Sequence, residues 1–191
     1  MQGDFAAHQK MLRACNPSLE ILTVRDASTL AQCDGLIIPG GESTTMSQLC
    51  DRYELWQPLS AFIENKKPVL GTCAGLILLA KNIAGATQNF AQKTLGALDI
   101  DVTRNAYGAQ IESFQTRLEV PALQKASLGD EPLKVFFIRA PQITRVGEGV
   151  EVLASHNGLP VLVKSGKIFG AAFHSEIGND SRLHALWLQS F

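Results

Sequence analysis

The 191 residues, 46% apolar and 18% charged, suffice for one domain with a full core and show no bias toward disorder. A formal net charge of −1 with no basic block argues against nucleic acid or an anionic membrane as partner. No apolar run approaches the roughly 20 residues that span a bilayer, and Met1 to Phe5 lack the charged and apolar regions of a signal peptide.

In chain order, Phe5 to Ala14 reads as a helix, Leu19 to Val24 as a strand and Asp26 to Cys33 as a short helical connector. Gly35 to Ile38 is a fully apolar strand closed by Pro39-Gly40-Gly41, and Ser43 to Glu54 and Trp56 to Asn65 read as helices. A second apolar strand, Pro68 to Leu70, leads through a tight turn into the helical run Leu76 to Ala80. Short apolar strands separated by helices predict a parallel sheet with both faces covered. Gly85 to Gly96 is the expected mobile loop. The second half is strand-rich: Leu98 to Thr103, Gln115 to Val120, Val135 to Ile138, Val150 to Ser155, Pro160 to Lys164 and Ile168 to Phe173. Asn157-Gly158 marks a hairpin turn, and Asp180 to Phe191 is an amphipathic helix. There are no repeats and no linker, so residues 1–191 form a single domain.

Gly71-Thr72-Cys73-Ala74-Gly75 carries the chemistry. A G-x-C-x-G turn between strand and helix is the pattern of a nucleophile elbow, in which a strained residue projects its side chain above the sheet. The N–H groups that follow, starting with Ala74, then point at the reacting carbonyl as oxyanion donors. A lone buried Cys would fit the pentapeptide too, so the turn needs a base. Of the four histidines, His8 and His184 lie in helical patterns and read as surface or half-buried residues, and His156 belongs to the hairpin turn. His174 ends an apolar strand at the carboxyl edge, where open α/β sheets place their ligands. Glu176, two residues on, is placed to orient its imidazole and stabilise the imidazolium. An imidazole beside a thiol makes the thiolate that attacks carbonyl carbon. The turn Pro39-Gly40-Gly41-Glu42-Ser43 allows Gly41 to present a second oxyanion donor, and Glu42 is an acid suited to a substrate ammonium. Cys15, Cys33, Cys50 and Cys73 lack the spacing of a zinc site and read as reduced cytosolic thiols.

Together, Pro39 to Met46, Gly71 to Ile77 and Phe173 to Glu176 resemble the class I (triad) glutamine amidotransferases. More narrowly, Arg104-Asn105-Ala106-Tyr107-Gly108, Phe137 to Pro141 and His156-Asn157-Gly158 are similar to glutaminase subunits of pyridoxal 5′-phosphate synthase. The resemblance implies a flavodoxin-like α/β fold, with a mostly parallel central sheet flanked by helices. It implies Cys73 as nucleophile, His174 as base and Glu176 as third member of the triad. Gly41, Glu42 and Ser43 would contact L-glutamine, with Arg104, Ile138 and Arg139 completing the pocket. A guanidinium fork suits the substrate carboxylate. No cofactor or metal is implied. The ammonia would pass to a synthase subunit that builds the B6 cofactor from a pentose phosphate and a triose phosphate. Docking of that subunit would activate the glutaminase, with reorientation of the Gly40-Gly41 peptide as the physical route. A glutaminase serving another synthase, such as that for imidazole glycerol phosphate, and a non-catalytic chaperone-like relative are the competing readings.

Two departures from the family pattern stand out. Ser175 occupies the place of the usual Pro in His-Pro-Glu, which loosens the link between base and acid. The opening strand, usually ending in a Leu-Gln-Gly-like segment, is missing, since Met1-Gln2-Gly3 begins where it should finish. Losing a central strand forfeits roughly 1.5–3 kcal/mol for each apolar side chain. The expectation is a start placed too late or a shortened chain, with a slot filled by something else as the third option.

Overall fold

The computed structural model describes residues 3–84, 92–104 and 113–191. Helix α1 (Phe5–Cys15) is capped by Asp4, whose carboxylate accepts from the Ala7 N–H. A short helix α2 (Ala27–Ala31), capped by Asp26, precedes strand β1 (Leu36–Ile38). Two helices, α3 (Ser43–Arg52) and α4 (Trp56–Glu64), lead to strand β2 (Val69–Thr72) and helix α5 (Ala74–Leu79). Every residue of β2 and α5 is buried, as their continuous apolar run requires.

Strands β3 (Ala80–Ala84), β4 (Leu98–Thr103) and β5 (Phe114–Leu118) follow, then helix α6 (Pro121–Lys125), which starts with Pro at its first position. Strands β6 (Leu133–Phe137), β7 (Gln142–Val146), β8 (Glu151–His156), β9 (Leu159–Ser165) and β10 (Ile168–Ala171) come next. A 3₁₀ turn at Glu176–Gly178 and helix α7 (Arg182–Leu188) complete the described elements. The β8–β9 hairpin turns on Asn157 (φ 50°) and Gly158 (φ 77°), the positive pair a type I′ turn needs.

The central sheet has the order β1-β2-β10-β9-β8. It is mixed: β1, β2 and β10 are parallel, and the β9–β8 hairpin adds antiparallel strands at one end. Two smaller sheets, β3-β4-β7 and β5-β6, stand beside it. Strands β3 and β7 and helix α6 were not predicted; the first two are mostly exposed and carry no apolar run to announce them.

Leu19 to Val24, expected as a strand, forms no ladder. Among the described residues no strand lies on the outer edge of β1 to pair with it. Leu19, Ile21 and Val24 are instead half-buried on the wall of a cavity of about 460 Å³, faced by Leu36, Ile37, Leu59 and Phe191. Among the described residues no strand precedes α1.

Candidate active site

The elbow forms as its glycines predict. Cys73 has φ 50° and ψ −102°, a conformation that costs about 1–3 kcal/mol and persists only where packing over-determines it. Here the packing is tight: a Cβ on Gly75 would run into the Ile38 carbonyl, so α5 approaches β1 backbone to backbone. The Cys73 N–H donates to the Ala171 carbonyl at 2.8 Å, which fixes the turn against the end of β10. The thiol is 7% exposed and its Sγ lies 3.9 Å from the Ile138 carbonyl oxygen. Helix α5 has no side-chain cap, so no side chain occupies the N–H groups of its first turn.

Three residues beyond β10, His174 is held by a two-way backbone bridge to Phe136, with N–O distances of 2.8 and 3.0 Å. Its Nδ1–H donates to Glu176 Oε1 at 2.6 Å, so Nε2 is the atom left for the thiol. The Cε1–Nε2 edge of the ring and Cys73 Cβ converge on Gly40, where any side chain would strike the imidazole. Burial disfavours the imidazolium, but hydrogen bonds and charges from Cys73 and Glu176 outweigh it and push His174 up to about 10. Glu176 is 2% exposed. Burial works against its charge too, yet the hydrogen bond to His174 and the neighbouring imidazoles hold its carboxyl below the usual range.

A cleft of about 590 Å³ opens over these groups. It is lined by Cys73, Ala74 and His174 and by all six expected substrate residues: Gly41, Glu42, Ser43, Arg104, Ile138 and Arg139. Glu176 lies behind His174, outside the lining. Glu42 has a further occupation: its carboxylate caps α3, accepting from Thr44 N at 3.1 Å and from Thr45 N and Oγ1 at 2.6 and 2.7 Å. Those hydrogen bonds outweigh its desolvation and keep it below the usual carboxylate range. Arg104 Nη1 donates to Thr44 Oγ1 and Gln92 Oε1, both at 2.8 Å, and Ser43 Oγ donates to the same Gln92 oxygen at 3.2 Å. Gln92 thus ties two cleft residues together, and nothing in its sequence surroundings signals that. Arg139 is exposed at the rim with φ 45°. Asn105 to Gly108 and most of the expected mobile loop, residues 85–91, lie outside the described residues.

Two histidines are placed otherwise than expected. His8 and His184 are not at the surface; they are 3% and 0% exposed and stack behind Glu176. Each lies on the apolar face of its helix, and that face packs inward where α1 meets α7. His156 does sit at the hairpin, stacked on Phe114 and Phe137. All four cysteines are free thiols. Burial pushes Cys50 up to about 11 and raises Cys15 and Cys33, as for inert structural thiols. Among the described residues no group of His, Cys, Asp and Glu is arranged to hold a metal ion.

The family model for the SNO glutamine amidotransferase family matches residues 1–191. A pyridoxal 5′-phosphate synthase subunit PdxT from Kosmotoga olearia is 47% identical over 189 residues, covering 99% of this chain and 93% of that one. The protein of the same name from Desulforamulus reducens is 46% identical, covering 99% and 95%. A crystal structure of a glutamine amidotransferase superposes with a TM-score of 0.87 at 42% identity, over 99% of this chain and 94% of the other.

Proposed function

This chain belongs to the SNO glutamine amidotransferase family, and on that premise we propose that it is the glutaminase subunit of a pyridoxal 5′-phosphate synthase. It hydrolyses L-glutamine to L-glutamate and ammonia. The observation that carries the assignment is the convergence of Cys73, His174 and Glu176 at the carboxyl ends of two adjacent parallel strands.

The geometry supports the following roles. His174 Nε2 takes the Cys73 proton, and Sγ attacks the side-chain carboxamide carbon of glutamine. The oxyanion that forms meets the Ala74 N–H and, from the neighbouring turn, the Gly41 N–H. The imidazolium then protonates the departing nitrogen, the C–N bond breaks to release ammonia, and the γ-glutamyl group stays on Cys73 Sγ as a thioester. Water activated by the same imidazole hydrolyses the thioester to glutamate. Glu176 keeps Nδ1 protonated and Nε2 turned to the thiol through its 2.6 Å bond. Arg104 and Arg139 stand at the cleft for the substrate carboxylate, and Ser43 for its polar end.

The partner is a synthase subunit that consumes the ammonia, as the relatives' names imply for them. Those names favour this synthase over that for imidazole glycerol phosphate. Free thiols at all four cysteines suit the reducing cytosol, and no helix among the described residues is long and apolar enough to cross a membrane. The test is twofold. A glutamine-analogue electrophile should label Cys73 and be blocked by excess glutamine, and added synthase should raise glutamine turnover strongly. Unprotected labelling spread over Cys15, Cys33 and Cys50 would sink the enzyme assignment. Equal turnover with and without the synthase would sink the partner.

A further inference from the structure

Behind the triad lies a second set of buried imidazoles that the reaction as described does not use. His8, on α1, brings Nε2 to 3.4 Å from Glu176 Oε1 and 3.2 Å from Thr72 Oγ1. Its other nitrogen, Nδ1, lies 2.9 Å from His184 Nε2 on α7. The His8 ring therefore touches both the acid that orients the base and the residue immediately before the nucleophile.

Protons can be placed in this chain in two ways, and burial separates them. If His184 donates from Nε2 to His8 Nδ1, then His8 Nε2 carries a proton that Thr72 Oγ1 accepts at 3.2 Å, with Glu176 Oε1 beside it at 3.4 Å. Between the two rings, what is left without a partner is then a bare lone pair at His184 Nδ1. If instead His8 Nδ1 donates to His184, a buried N–H is stranded at His184 Nδ1, and a lone pair on His8 faces a carboxylate. A stranded buried donor costs about 1–3 kcal/mol, so the first arrangement holds. Glu176 Oε1 takes the hydrogen bond from His174 at 2.6 Å and has the His8 Nε2–H beside it at 3.4 Å, while Oε2 has no hydrogen-bond partner.

We propose that His8 is a positioning residue for the glutaminase reaction: its Nε2–H, set by His184, holds the Glu176 carboxylate aimed at His174 Nδ1. The proposal rests on the triad assignment above. The groups that face His8 are Asp4 on its own helix, Thr72 at the end of β2, His174 and Glu176 beyond β10, and His184 on α7. Burial keeps His8 below its ordinary range, which leaves it neutral and able to donate from one nitrogen only.

Two isosteres separate positioning from packing. His8→Gln keeps an amide N–H near the place of Nε2, whereas His8→Asn reaches only as far as Nδ1. Measured in the complex with synthase, His8→Asn should lower kcat about tenfold with KM little changed. Its bell-shaped kcat profile should narrow, because a loosened Glu176 takes a proton at higher pH and His174 loses one at lower pH. His8→Gln should restore most of both. His184→Leu, which removes the donor that sets the tautomer, should narrow the bell although His184 makes no hydrogen bond to Glu176. A full-width bell in His8→Asn or His184→Leu, or a Gln variant as impaired as the Asn variant, overturns the proposal. Labelling of Cys73 in the same proteins reads the triad separately, so either assignment can fail without the other.

Discussion

The chain uses one arrangement twice, side by side: β1, a glycine turn and α3, then β2, a cysteine turn and α5. In the first unit the helix N-terminus is closed, because Glu42 accepts from the N–H groups of Thr44 and Thr45. In the second no side chain closes it, and the residue at the cap is Cys73 with φ 50°. A capped helix start is a structural end, whereas an uncapped one leaves aligned N–H donors and a partial positive charge for an incoming anion. In the proposed reaction the nucleophile belongs to the open unit, and the closed one lends it the Gly41 N–H and a wall of the cleft.

Variants can break that division, and the largest effect should come from the open unit. Cys73→Ala should cut glutamine turnover by about a thousandfold or more, with a thermal midpoint close to the parent's because Ala keeps the Cβ and hence the same backbone strain; residual turnover near the parent's would move the nucleophile elsewhere. Gly75→Ala should destabilise by about 3 kcal/mol, since the new methyl meets the Ile38 carbonyl and the two units must part. A midpoint in urea unchanged by this substitution would show that the units are not in contact there.

Acid should act on the buried histidine pair that stands behind both units. His184 is held down to about 3 from an ordinary 6.5, chiefly by burial, and His8 is lowered for the same reason. As pH falls below about 6.5 the unfolded chain takes these protons and the native chain refuses them until its own lower values. Stability is therefore lost through that window, at up to about 1.4 kcal/mol per pH unit for each histidine. His174, raised to about 10, acts oppositely: its contribution is complete below about 6.5 and is lost as pH rises through about 10. Urea titrations across the acid window should show the slope, and a flat profile would contradict the burial of the pair. Glu42→Ala should cost about 1 kcal/mol in stability through loss of the cap, with a smaller effect on kcat; a loss of turnover like that of Cys73→Ala would give the closed unit a chemical role.

The smallest effect belongs to Ser175. It is fully buried, and its hydroxyl has no hydrogen-bond partner. Its φ of −86° lies near proline's range. Ser175→Pro should preserve turnover and raise the thermal midpoint slightly, and a large loss of activity would mean that the link between base and acid needs the slack.

Most of the site was legible because its parts are local. Glycines flank Cys73, and an apolar strand delivers His174 to a carboxyl edge two residues before its acid. Gln92 was not legible, since its value lies in touching Arg104 and Ser43, which are remote in sequence. His8 and His184 were misread because a histidine in an amphipathic helix looks the same whether its face meets water or another helix. Leu19 to Val24 has the composition of a strand, yet a ladder needs a neighbour, and sequence pattern says nothing of the neighbour's presence. The mixed character of the central sheet was hidden for a related reason: strand direction is set by connections, and only the Asn157-Gly158 hairpin declares one.

The bridge between His174 and Phe136 has a further consequence. Cys73 hangs from the five-stranded sheet, whereas the base is pinned by its main chain to β6, in the two-stranded one. The amide proton of His174 is locked in that seam, 2.8 Å from the Phe136 oxygen. It can trade with deuterium only when the seam opens. One backbone proton is therefore a clock for that seam, and its exchange rate counts how often the His174 main chain comes away from β6.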